Sequence, residues 1–189
     1  MAQSVTVQAP KRLFSVEEYH RLAEAGILQE NDRVELIHGE IIKMSPIGPK
    51  HAGNLDRFVR IFTFLFGESA IVRSQNPVQL NDFSEPEPDI SILKPRRDFY
   101  TTAHPKAEEV ILIIELADSS LEYDKEVKMP EYASNNIPEY WIIDLKTDRV
   151  IVYAEPSGQE YLNIKTFQVN EQVESRTLPK PVSVRELLG

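Results

Sequence analysis

The stretch Val110-Ile111-Leu112-Ile113-Ile114-Glu115-Leu116 decides how this chain is read. An unbroken aliphatic run of this length fits a strand buried on both faces, since neither face keeps a polar set for water. Glu115 interrupts it. A carboxylate in such a strand is costly unless a cation or a hydrogen-bond donor meets it. Upstream, Pro88-Asp89 stands at the head of a second apolar segment, Ile90-Ser91-Ile92-Leu93. Neighbouring strands that each carry an acid at one end would make a divalent-metal site. Asp89 and Glu115 are therefore the expected metal ligands.

Toward the N-terminus, Ser15-Val16-Glu17-Glu18 is a capping box and predicts a helix to about Ala25, with Gly26 suited to its end. Residues 33–37 and 40–44 flank His38-Gly39, the pattern of a hairpin with a two-residue turn. A loop at 46–50 precedes a second helix, about 51–66, in which Leu55, Phe58, Val59, Phe62 and Phe66 recur at helical spacing. Residues 70–73 and 77–80 read as strand, interrupted near Asn76-Pro77, and the charged segment 94–109 as a surface loop.

Beyond the opening stretch, 121–134 is helical by composition, although Pro130 inside it must bend the helix or delay its start. Residues 139–145 form another apolar strand. Segments 149–154 and 161–167 alternate as antiparallel strands joined through Pro156-Ser157-Gly158. A second capping-box pattern, Ser183 to Glu186, predicts a short terminal helix. From the second helix onward the order is helix, three strands, helix, strand, which packs most simply as an α/β sheet with a helix on each face. Residues 1–13 read as a flexible arm and 14–189 as one domain.

At 189 residues the chain buries roughly 70% of its unfolded surface, so it needs no staple to fold. The absence of cysteine excludes disulfides and thiolate metal sites. No run approaches the roughly 18 apolar residues of a membrane span, and the first residues carry no secretory pattern. A cytoplasmic protein with no membrane partner is the expectation. The net charge of −9 argues against a broad nucleic-acid-binding surface, leaving a local basic groove and a metal-offset acid cluster as the ways to bind DNA.

Pro88-Asp89, then Glu115, then Lys128 resembles the PD-(D/E)xK restriction-endonuclease-like superfamily. Further stretches resemble its Uma-two family: Val34 to Glu40, Met44-Ser45-Pro46 with His51, Pro86 to Ile90, Ile114 to Leu121, then Asp124, Lys128, Tyr132 and Pro138 to Asp144. The resemblance implies a restriction-endonuclease-like αβββαβ core, a mixed central sheet flanked by helices, with the N-terminal helix and β-hairpin as an extension. It also implies an endonuclease that uses Mg²⁺ (or Mn²⁺) to hydrolyse phosphodiester bonds in DNA. Asp89 and Glu115 would hold the ion, and Lys128 would supply the cation that the transition state needs, or the base if its pKa were lowered.

The superfamily's lysine stands two residues after the strand acid, where this chain has Ala117. A lysine displaced onto the following helix must serve. Lys128 fits best, because Asp124, Lys128 and Tyr132 step by four along one helix face, and Lys125 is the fallback. Glu35, His51, Gln75 and Asp124 are accessory candidates, each also readable as an ordinary ion-pair, surface or hydrogen-bonding residue. The alternative function is a catalytically silent binding or regulatory module on the same fold. A glycosidase built on paired carboxylates is a remote third. A homodimer is expected by analogy with nucleases that cut both strands.

Overall fold

The computed structural model describes residues 10–29 and 31–189. Most of the expected arm, residues 1–9, lies outside them. Residues 10–13 run beside the hairpin, where Lys11 pairs with Glu40 at 2.9 Å.

The first helix, α1 (Val16–Glu24), begins at the predicted capping box: Ser15 accepts from the Glu18 amide, and Glu18 accepts from the Ser15 amide. The hairpin follows as β1 (Val34–Ile37) and β2 (Glu40–Lys43). Its turn residues His38 and Gly39 have φ of 50° and 74°, the pair of left-handed conformations that a tight two-residue turn demands.

Helix α2 (Pro49–Phe66) starts two residues earlier than the apolar periodicity suggests, because Pro49 is preset for a first helical turn. Phe58, Phe62 and Phe66 stack along it with centroids 6.0 and 6.3 Å apart, and Phe62 meets Trp141 edge-on at 5.9 Å. Each such ring removed from water contributes about 1.5–3 kcal/mol.

The main sheet has six strands in the order β3 (Ile71–Ser74), β4 (Ile90–Leu93), β5 (Val110–Ala117), β6 (Glu139–Asp144), β7 (Arg149–Ser157) and β8 (Glu160–Gln168). Neighbours are antiparallel except β5 and β6, which are parallel. Parallel neighbours require a crossover, and the helical segment between them provides it. One face of the sheet packs on α2 through Ile114, Leu116, Trp141 and Ile143. The other packs on the crossover through Ile113, Tyr140, Ile142, Tyr132 and Ile137. The αβββαβ core and mixed sheet are thus as expected.

Three local expectations fail. Residues 77–80 form no strand: beyond one bridge from Gln79 to Lys106, their amides turn to the main chain of Pro86 and Ser84. The turn after β7 falls at Gly158 rather than across Pro156. Pro156 remains in the strand because β6 reaches only to Ala154, so its missing N–H interrupts no ladder on that side. At the C-terminus, α5 (Val184–Leu188) forms, but Ser183 makes no side-chain cap bond. A small sheet of β9 (Gln172–Val173) and β10 (Val182–Ser183) precedes it, two strands too short to leave a sequence pattern.

The crossover resolves the Pro130 problem. It is not one α-helix but α3 (Leu121–Tyr123), a π-helical stretch at Asp124–Lys128 and α4 (Met129–Ser134). Pro130 sits in the first turn of α4, where an absent N–H is tolerated.

Candidate active site

Strand alternation fixes where Glu115 points. Leu112, Ile114 and Leu116 join the core beneath α2, while Ile113 and Ala117 join the opposite core. Glu115, one step from Ile114 and Leu116, therefore emerges on the crossover side. There Lys128 donates to Glu115 Oε1 at 2.9 Å and the Tyr132 hydroxyl to the same oxygen at 3.0 Å.

The antiparallel register opposes Ile90 to Ile114, which brings Asp89 alongside Glu115. The two residues interlock. The Asp89 amide donates to Glu115 Oε2 at 3.1 Å, and the Leu116 amide donates to Asp89 Oδ2 at 2.8 Å. The two acids expected to meet are thus neighbours in the fold.

Lys128 is 5% exposed and also reaches Glu35 Oε2 at 3.3 Å. Glu35 is held by the Tyr123 hydroxyl at 3.1 Å and the Glu87 amide at 3.1 Å. Burial opposes the ammonium charge, but Glu115, Glu35 and Asp124 outweigh it and hold Lys128 well above its ordinary pKa. Burial likewise pushes the Glu115 carboxyl well up, and Lys128 only partly offsets it. The structure thus shows Lys128 as a buried cation joined to Glu115 and Glu35, with its pKa raised rather than lowered.

His51, in the first turn of α2, meets Asp89 Oδ1 through Nε2 at 2.9 Å. This hydrogen bond raises the His51 pKa against the effect of burial. For Asp89, burial is outweighed by His51, by the Leu116 amide and by Lys128, and its pKa is lowered. Gln75 turns the chain after β3 with φ of 50°, and its side chain reaches Asp89 Oδ1 at 3.5 Å. Asp124 is nearby but takes its hydrogen bond from Ser120 Oγ at 2.6 Å, and burial raises its pKa to about 6. Lys125 makes no ion pair among the described residues.

A cleft of about 310 Å³ opens over Asp89, bordered by Glu35, His51, Gln75, Leu116 and Tyr123, with Arg33 and Lys43 among its cations. Glu115 and Lys128 lie beneath its floor rather than along its wall. Asp89 and Glu115 form no three-member set with Glu35, His51 or Asp124 whose ligand atoms all lie within 4.8 Å of one another. An ion here would draw its remaining ligands from main chain, water and substrate. That suits Mg²⁺, which takes oxygen ligands, keeps several waters and uses few carboxylates.

Tyr123, like Arg33 and Lys43 of the cleft, is a site residue that sequence reasoning missed. It stands five positions before Lys128, a spacing that shares no face in an α-helix but is brought together by π winding.

Comparison with known proteins bears on the fold and the family. A crystal structure described as "a putative nuclease belonging to DUF820 from Anabaena variabilis ATCC 29413" superposes with a TM-score of 0.73 at 19% identity, covering 93% of this chain and 97% of the other. At that identity the likeness concerns the fold. A search of curated proteins finds no match. The model of the Uma2 family, described as "Putative restriction endonuclease", matches residues 16–185. That match spans nearly the whole chain and includes every residue of the cleft, and the chain belongs to the Uma2 family.

Proposed function

We propose that this protein is a divalent-metal-dependent endonuclease that hydrolyses phosphodiester bonds in DNA. The observation that carries the reading is the interlocked pair of Asp89, which lines the cleft, and Glu115 beneath it, backed by the buried Lys128 ammonium. Asp89 and Glu115 would hold Mg²⁺ or Mn²⁺, with the Leu116 main chain and Gln75 beside them. When bound, the ion supplies Lewis acidity to a phosphoryl oxygen and acidifies water.

The protein's own residues do the rest. Lys128 and Tyr132 fix the Glu115 carboxylate, so its free lone pairs keep one direction. Lys128 also sets a permanent positive charge under the site, favouring the extra negative charge of the transition state. His51 and the Leu116 amide orient Asp89. The first turn of α2 has no side-chain cap and borders the cleft at Gly48 and His51, offering amides and a helix dipole to a phosphate. Arg33 and Lys43 supply the local basic edge that an acidic protein needs to accept a DNA strand.

Plasmid and single-stranded DNA incubated with Mg²⁺ or Mn²⁺ test the proposal. Wild type cuts and Asp89→Asn does not; equal cleavage by both rejects the assignment. The second reading, a silent binding module, is supported by Ala117 and by the engagement of both Glu115 oxygens with donors. Metal binding at Asp89 without turnover on any nucleic acid would establish it.

A further inference from the structure

Outside the cleft, one cluster of side chains has metal-binding geometry. His20, Glu85 and His104 are the set among the described residues in which three ligand atoms all lie within 4.8 Å of one another. They line a separate cavity of about 430 Å³ that shares no residue with the cleft over Asp89.

Each member is held by its main chain. His20 projects from α1. Glu85 exchanges two main-chain hydrogen bonds with Leu36 of β1, at 2.8 and 3.4 Å. His104 precedes Pro105, whose carbonyl accepts from the Gln79 amide at 2.9 Å. The three therefore join α1, the segment between β3 and β4 that bridges to the hairpin at Leu36, and the 94–109 loop, which are distant in sequence.

Glu85 marks the site. It is 3% exposed, yet its carboxylate has a single side-chain partner, His20 Nε2 at 2.7 Å. Its other oxygen, Oε2, is buried with no hydrogen-bond partner. A buried carboxylate oxygen left empty is expensive, and a cation between it and the two imidazoles removes the cost. The His104 ring stands 6.0 Å from the His20 ring at 64°, so the two are not stacked and both can direct a nitrogen inward.

We infer that His20, Glu85 and His104 bind a first-row transition ion, Zn²⁺, at a site separate from the hydrolytic one. Two imidazoles and one carboxylate form a three-residue Zn²⁺ set that leaves a fourth position for water. Imidazole ligation also discriminates against Mg²⁺, which the cleft over Asp89 suits better. The ion clips α1 and the 94–109 loop to the hairpin side of the domain. One competitor is visible. Arg73 lines the same cavity with its buried Nη1 unpartnered, so a rotated guanidinium could fill the gap at Glu85 instead.

Calorimetry with Zn²⁺ on the metal-stripped full chain separates these. One Zn²⁺ per chain is expected, retained in excess Mg²⁺ and in Asp89→Asn. His20→Ala and His104→Ala each weaken it by at least the roughly 10- to 100-fold seen when an outer-shell partner is lost. Both histidines are partly exposed, so these variants keep the fold. Co²⁺ added to wild type gives visible d–d bands that Zn²⁺ bleaches, a readout that needs no variant. Several results overturn the inference: no Zn²⁺ uptake, uptake indifferent to both histidine variants, or uptake lost in Asp89→Asn. So does a thermal-stability coupling between Arg73→Met and Glu85→Gln that Zn²⁺ leaves unchanged, which would assign Glu85 to Arg73. Nuclease activity decides none of these outcomes.

Discussion

Lys128→Met tests the electrostatic core of the site without reference to activity. Methionine keeps the length and apolar stem of the side chain but removes the charge. Glu115 and Glu35 then lose the ammonium that stands 2.9 and 3.3 Å away, and all three side chains are at most 7% exposed. Breaking a buried pair by deleting one partner costs about 3–5 kcal/mol, because the remaining charge is left uncompensated. For a domain of this size each kcal/mol lowers Tm by about 2–4 °C, so the variant should melt roughly 6–20 °C below wild type. The loss should depend on pH. Glu115 already has a raised pKa from burial, and losing Lys128 raises it further. A raised carboxyl pKa gives stability that is present below the unfolded value of about 4.3 and is lost as pH rises through the folded value. The deficit is therefore larger at pH 8 than at pH 5. Glu115→Gln added to Lys128→Met should recover part of the loss, because no Glu115 charge then remains to be paired. Urea titrations at both pH values measure this. A deficit under about 1 kcal/mol, the worth of an exposed pair, or one equal at both pH values, would refute the reasoning.

Two further outcomes follow from the neighbours of that pair. Asp124 is held by burial at a pKa of about 6, so its contribution to stability is complete below the unfolded pKa of about 3.9 and lost as pH rises through 6. Asp124→Asn should remove on the order of 1–3 kcal/mol of the decline between pH 4.5 and 7.5, read from denaturant midpoints; an unchanged difference between the proteins would count against it. His51, raised by its hydrogen bond to Asp89, is a cation beside the expected metal ligand at low pH. Mn²⁺ affinity of wild type should climb as pH rises through the His51 value, and His51→Ala should flatten that climb. Parallel pH slopes for the two proteins would dissociate His51 from the metal.

The legibility of the chain follows the range of the interaction that carries each feature. Glu115 was readable because a charge in an aliphatic strand contradicts its surroundings wherever the strand lies. Asp89 was readable because a strand head is a local event. The capping box at Ser15 and the hairpin at His38-Gly39 were readable for the same reason, since their hydrogen bonds and φ values close within a few residues. Tyr123 was invisible because only π winding brings it over Lys128, and nothing in its spacing announces that winding. Segment 77–80 misled because β propensity says nothing about whether a neighbouring strand is there to pair with.

By itself, the order of apolar periods determined an α/β sheet with a helix on each face, an acid at the head of one strand and another inside the next. Those patterns are set by burial, and burial leaves its mark residue by residue. Only the tertiary structure decided that Lys128 is buried between Glu115 and Glu35, because those two acids arrive from distant elements. It alone also placed His20, Glu85 and His104 around one cavity, since residues from a helix, a bridge and a loop share no spacing in the chain.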